Sequence, residues 1–486
     1  MDFGPPLSYE SLKTVLQHMD PNLRIRLSIN CPSIRLAEKA VPLKIKELEL
    51  SDKCFAIDEI KYAIFIYQKY PAGTCPTCVK NLNVYGGPNT KLIPTDLDVH
   101  GYNDWPSRLK LRPGDVDLID PNERRNIEPI EVGEDETKER ERELPELQER
   151  LDYVESLGPI MNSEADESYS QPMLEEIMWY FVLEKTSEER SAHYSRQTEF
   201  EHARAEAYEE LKDNVLYSKA AIKQWYARRD GLPVPFESYI KINIFNKYTL
   251  ESKNIEFVKY EKSLFEAFNY LMHRIFENRR CPVAIKVLVP FSGIIRLTPG
   301  LRMQIEEMHF DGEADRAFTE LAPYIEESSY PLKCLKIIVW DTAVFQHPKL
   351  RSAKHLVVDR SPAEIRWLPI LLNLENHNVQ MMVDYFEGTM PVDDFMVLIR
   401  HWASCGKELG ASFCFALQVE EDELEMDDFH KDVFKRIKTQ IKEAVSGYKY
   451  AKIRTDNGTT LKVSVERSGD VDDPWILVMH ILPLEH

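Results

Sequence analysis

At 486 residues and 43% hydrophobic content, the chain is long enough for two or three folding units with ordinary cores. Its 81 acidic against 61 basic residues give a formal net charge of −20, which argues against a nonspecific nucleic-acid binder, because phosphate neutralisation needs a basic face. The start, MDFGPPLSYE, has no basic segment leading into an apolar run, no stretch reaches the roughly 18 apolar residues of a membrane span, and the eight cysteines are mostly isolated; a soluble protein of a reducing cytoplasm or nucleus is expected.

In chain order, residues 5–43 read as a small helical module. Leu12, Val15, Leu16 and Met19 recur at i, i+3, i+4 and i+7, one face of a helix. Asp20 is placed to cap a second helix with Pro21 in its first turn, and Leu23 and Leu27 lie on that helix. Pro32 and Ser33 open a third through Ile34 and Leu36. Such a unit is too small to bury its apolar face alone, so a partner or a neighbouring domain is expected to cover it.

Residues 44–112 turn to strand patterns: KIKELEL alternates apolar and charged residues, YAIFIYQKY is denser, and Gly86-Gly87-Pro88 marks a turn. Residues 113–170 form an acidic linker, or at most a solvated helix, since 131–150 carries nine acidic and four basic residues. Residues 171–234 read as a helical hairpin. Its second helix carries a narrow stripe that includes Leu211 and Val215, expected to pack on 172–188, and Gly231 and Pro233 stop it. Residues 235–486 alternate strands such as PVAIKVLV, LKCLKIIVW and SFCFALQV with helices such as SLFEAFNYLMHRIFENR and VDDFMVLIRHWAS. The expected fold class is therefore α+β or α/β and multidomain, ending in an alternating α/β domain with parallel strands whose irregular recurrence is compatible with a degenerate leucine-rich-repeat-like curve.

Chemistry-bearing motifs are sparse. No phosphate-binding glycine loop, nucleophile elbow or HExxH occurs. Cys75 and Cys78 form a CxxC, but no second ligand pair follows at zinc-finger spacing and Pro76 lies inside the pair, so a loop is expected. In DLDVHG, Asp96, Asp98, His100 and Gly101 fit the front of a calcium loop, yet Ser107 stands where a bidentate glutamate is needed; an edge strand with Leu97 and Val99 inward is expected. His401, Trp402 and Cys405 share a predicted helix with no argued nucleophile geometry. The seven carboxylates of 420–428 are read as the start of the next helix. No metal, cofactor or catalytic residue is expected.

The opening stretch resembles an F-box: Leu7 in the first position, Leu12, Val15, Leu16 and Met19 on the helix, Asp20-Pro21 at the turn, then Cys31, Ile34 and Leu36. Ser8 stands where that family usually has proline, and Ile34 where tryptophan is common. Together with NVYGGPN, TDLDVHG, LPILLNLENHNVQMMVDYF and MPVDDFMVLIRHWASCGKELG, the chain is similar to the nematode-expanded F-box C-type family, over about residues 5–110 and 235–486. The resemblance implies a substrate receptor of an SCF-type cullin ubiquitin ligase. In that reading Leu7, Leu12, Val15, Leu16, Met19, Pro21, Leu23 and Leu27 contact the SCF adaptor of the cullin complex, residues 235–486 present an unidentified protein target, and other subunits transfer ubiquitin. An adaptor-independent interaction scaffold is the alternative, and an enzyme with an unrecognised site ranks last.

Overall fold

In a computed structural model, the described residues are 8–52, 54–85, 96–102, 104, 109–119, 124, 133–156, 197–310, 314–339, 341–360, 365–382, 390–417, 423–442, 444–447, 449–467 and 475–484. Leu7, the turn at Gly86-Gly87-Pro88 and the expected helix at 172–188 lie outside them.

Three short helices open the chain: α1 (Tyr9–His18), α2 (Pro21–Asn30) and α3 (Arg35–Ala40). Their starts follow the capping chemistry of the sequence. The Ser8 hydroxyl accepts from the Ser11 N–H, Asp20 accepts from the Leu23 N–H at 2.9 Å, and Pro21 fills the first turn of α2. Next come β1 (Lys44–Leu50), β2 (Cys54–Ile57), β3 (Ile60–Lys69), α4 (Thr77–Tyr85) and the short β4 (Asp115–Asp117). Two long helices follow, α5 (Glu134–Ser156) and α6 (Gln197–Asp230), then β5 (Glu237–Asn246), β6 (Ser252–Lys259), α7 (Leu264–Phe276), β7 (Val283–Pro290), β8 (Ile294–Arg296) and β9 (Met303–Phe310). The chain continues through α8 (Ala314–Leu321), β10 (Cys334–Ile338), α9 (Pro348–Ser352), β11 (His355–Arg360), α10 (Trp367–Asn373), β12 (Asn378–Met381), α11 (Val392–Cys405), β13 (Ser412–Leu417) and α12 (Glu423–Gln440). It ends in β14 (Val445–Ser446), β15 (Tyr450–Arg454), β16 (Thr460–Arg467) and β17 (Trp475–Leu482).

All strands but β4 and β8 join one sheet, in the order β14-β15-β16-β17-β13-β12-β11-β10-β9-β7-β1-β2-β3-β5-β6. Seven neighbours, β1-β7-β9-β10-β11-β12-β13, are parallel, and both flanks are antiparallel. The parallel run advances in one direction without reversing, and right-handed crossovers in one direction put the connecting helices on one face. One sheet runs through residues of both 44–112 and 235–486, because β1 inserts beside β7 in parallel register, Ile45 against Ile285 and Leu48 against Leu288.

A buried triplet recurs along these strands or from just before them at spacing i, i+3, i+5: Ile45/Leu48/Leu50, Ile305/Met308/Phe310, Leu332/Leu335/Ile337 and Ala353/Leu356/Val358. This L-x-x-L-x-L pattern is the signature of leucine-rich coils, in which one unit cannot bury its apolar edge without the next. The triplet at β12 starts with Asn376, which is buried and spends its amide on the carbonyls of Leu350 and Ala353, both at 2.8 Å. These side chains meet α7, α8, α10 and α11 in one core that includes Phe268, Met272, Phe318, Leu371, Leu398 and Trp402.

Two local expectations are corrected. The CxxC is a loop only in its first half: Cys75 and Pro76 precede α4, which starts at Thr77 and takes in Cys78. DLDVHG is not an edge strand with Val99 inward; Val99 is 89% exposed on a turn that Asp98 closes by accepting from the N–H groups of His100 and Tyr102. The helix over 197–230 packs antiparallel on α5, through Leu151, Val154, Leu211 and Val215, with Lys219 on Gln148 at 2.7 Å and Tyr226 on Glu141 at 2.5 Å; its expected partner, 172–188, lies outside the described residues. The acidic stretch thus includes a 23-residue helix that carries i,i+4 pairs such as Lys138–Glu134 and Arg140–Glu136.

Candidate functional site: docking surfaces

The N-terminal helices are held to the body by a buried ionic cluster. Arg24 and Glu38 are both almost fully buried, and one carboxylate oxygen of Glu38 accepts from Arg24 Nε and from Arg279 Nη2, each at 2.8 Å. Arg24 also donates to the carbonyls of Glu38 and Val41, both at 2.6 Å, and of Pro42 at 2.8 Å. Lys39 reaches across to the C-terminal end of α7, donating to the carbonyls of Arg274 at 2.9 Å and Ile275 at 2.6 Å. Burial, then the charge of Arg279, pulls the Lys39 ammonium down to about 7. Ile25 belongs to the main core and Ile29 packs on it.

This anchoring divides the apolar face expected at the front. Leu16 is 1% exposed, as is Ile25. Val15 at 44%, Leu23 at 38% and Leu36 at 82% stand in solvent, while Leu12, Met19, Pro21 and Leu27 are half-buried. Of the sequence-based set, Val15 and Leu23 are thus exposed, Leu12, Met19, Pro21 and Leu27 half-buried and Leu16 buried, while Leu7 lies outside the described residues; Leu36, from the third helix, is exposed as well.

The second surface is the open face of the parallel run, opposite the helices. Register aligns Glu47, Val287, Glu307, Cys334, His355, Asn378 and Ser412 in one row across seven strands. A neighbouring row holds His309, Lys336, Val357, Gln380 and Cys414. Every one of these side chains is half-buried. The face mixes apolar, titratable and amide groups. Lys247 closes its β1 end by bonding Glu47 and Glu49; burial draws the ammonium pKa down, and these carboxylates more than offset that. Burial, then Glu307, pushes the Cys334 thiol up, and burial pushes His309 and His355 down against the pull of Glu307.

The other sequence candidates have structural roles. Asp96 accepts from the Tyr260 hydroxyl at 2.8 Å and from the Leu264 N–H at 2.5 Å, so it satisfies the start of α7 rather than a calcium loop. At the CxxC, the Asp213 carboxylate from α6 accepts from the Thr77 N–H at the start of α4. Burial and this carboxylate raise the Cys78 thiol, the reverse of what a nucleophilic thiolate needs. Cys405 Sγ lies 3.5 Å from His401 Nδ1, a thiol and an imidazole on consecutive turns of α11 with Cys405 exposed. Among the described residues no helix is long and apolar enough to cross a membrane.

Residues 263–419 match the family described as Domain of unknown function (DUF3557). The matched span begins at Ser263, the residue that caps α7, and ends two residues past β13, so it coincides with the coil from α7 through the last parallel strand. It covers less than half of the chain. No curated protein and no solved structure matches the sequence.

Proposed function

We propose that the chain is a substrate receptor of an SCF-type cullin ubiquitin ligase: α1–α3 dock on the adaptor, and the open face of the parallel sheet holds a target protein. The observation that carries the reading is the exposure of Val15, Leu23 and Leu36 on a small helical module that is otherwise fastened to the body by buried charge. The F-box resemblance of the same residues supports it, as do the chemically mixed rows that register aligns across the parallel strands. Ubiquitin transfer needs no catalytic group here. A scaffold that does not engage the adaptor is the second reading, and the inward turn of Leu16 favours it, since that removes one side chain from the docking face.

The test is capture of the purified SCF adaptor by the full chain. Binding at about 10 µM or tighter is expected. Val15→Glu with Leu23→Glu should cost at least about 2 kcal/mol of binding, as loss of interface anchors does, with the thermal transition unchanged because both side chains are exposed. Failure of the wild-type chain to bind replaces the receptor reading with the scaffold.

A further inference from the structure

We propose that Glu307, His309 and Cys334 bind a zinc ion on the open face of the sheet, with the fourth coordination position turned to solvent. The three sit on adjacent parallel strands. Register places Glu307 on β9 directly beside Cys334 on β10, and His309 follows two residues on, pointing to the same side. Their ligand atoms all lie within 4.8 Å of one another, and His309 Nε2 is 3.9 Å from Glu307 Oε2. Bond lengths of about 2.0–2.3 Å put tetrahedral zinc ligands roughly 3.3–3.8 Å apart, so side-chain rotation of about an ångström closes the site without moving the strands.

The donor set selects the ion. A thiolate, an imidazole and one carboxylate suit zinc; calcium and magnesium require a shell of oxygens. Nearby charges are committed elsewhere: Lys336 pairs with Asp359 at 2.9 Å, and Lys247 holds Glu47 and Glu49. Binding displaces the Cys334 thiol proton to solvent, forms bonds to sulfur, nitrogen and oxygen, and needs no redox partner. Three protein ligands and an open fourth position is the arrangement that a catalytic zinc, or a zinc completed by a second protein, uses. The inference stands apart from the ubiquitin-ligase reading, because it concerns metal affinity of the isolated chain.

The probe is Zn2+ alone, then Co2+, titrated into the full chain after chelator treatment. The expected result is about one metal per chain, with thiolate-to-cobalt absorption in the near ultraviolet. Cys334→Ser should abolish that absorption, and His309→Ala should weaken zinc binding at least about tenfold. His480→Ala, a histidine of β17 far along the same sheet, should change neither, and Cys75→Ser with Cys78→Ser should leave one site intact. Absence of stoichiometric metal, or cobalt–thiolate absorption that disappears with Cys75 and Cys78 instead of Cys334, overturns the assignment. Should Cys334→Ser lower the melting transition, the cobalt spectrum of the Cys75→Ser/Cys78→Ser chain decides the question alone.

Discussion

Glu38→Ala takes away the carboxylate that two buried guanidiniums share. The Arg24 and Arg279 side chains are 2% and 5% exposed, and Glu38 itself is 0% exposed. At charge separations of about 4 Å and an effective dielectric of about 20, each arginine is attracted by about 4 kcal/mol. Most of that offsets the desolvation of the three groups, so the intact cluster contributes little net stability. Deleting the carboxylate leaves the desolvation and adds the mutual repulsion of the arginines, and breaking a buried pair this way costs about 3–5 kcal/mol. Arg24 keeps its bonds to the carbonyls of Glu38, Val41 and Pro42, which places the loss toward the lower end of that range. Urea unfolding of the full chain, with proteolysis inside residues 8–43 as a local readout, measures it. Adding Arg279→Met should recover part of the loss, because that charge is then no longer stranded. A loss below about 1 kcal/mol, the worth of an ordinary hydrogen bond, or strictly additive single and double variants, would refute the reasoning.

Lys39 gives the module a pH dependence of known sign. Its folded-state value is lowered to about 7, whereas the unfolded chain keeps the proton to about pH 10.4; between these the unfolded state binds more protons, so stability rises with pH. Urea midpoints should climb from about pH 7 to about pH 10 relative to Lys39→Met and run parallel below pH 7, and curves that are parallel throughout contradict it. In the sheet, Leu335→Ala on the helix side should cost about 2–5 kcal/mol, while Val357→Ala on the open face should cost under about 1 kcal/mol. Equal losses in chemical denaturation would mean that the open face is filled.

Elements with a filled side were legible in the sequence and those without one were not. The strands of VAIKVLV, LKCLKII and SFCFAL, and the helices α7 and α11, announce themselves because one face is packed with large apolar side chains. Strand β6 gives no such signal: all eight residues are exposed, and it is a strand through backbone pairing with β5 alone. Strand β9 was hidden by Glu306 and Glu307, which interrupt a strict alternation, and only the i, i+3, i+5 spacing of Ile305, Met308 and Phe310 reveals it. In α5 the stripe of Leu144, Leu147, Leu151 and Val154 is diluted by charge. At the N-terminus, periodicity grouped Val15 with Leu16, but which of two adjacent side chains turns inward is decided by where α3 packs on α1. The cluster at Glu307, His309 and Cys334 had no local signature, because strand register rather than sequence spacing assembles it.

The flanks of the sheet bear on where a partner of the sheet could approach. A parallel coil ends in apolar edges that must be capped, or it pairs with other chains. Here β2, β3, β5 and β6 close one end and β17, β16, β15 and β14 the other, all by antiparallel pairing. The last strand at the β6 end carries Lys253, Glu256 and Lys259, charges that discourage further strand addition. Helices fill the other face of the run, with Phe318, Leu371, Leu398 and Trp402 packed against its strands. With both ends capped and one face covered, a partner that reads several parallel strands at once has the rows from Glu47 to Ser412 as its approach. The N-terminal helices pack at the C-terminal end of α7, and Lys39 and Arg279 fix them there. A target on the open face and a protein held by Val15, Leu23 and Leu36 would thus be carried by one continuous sheet, with β1 and α3 joined by only a few residues of chain.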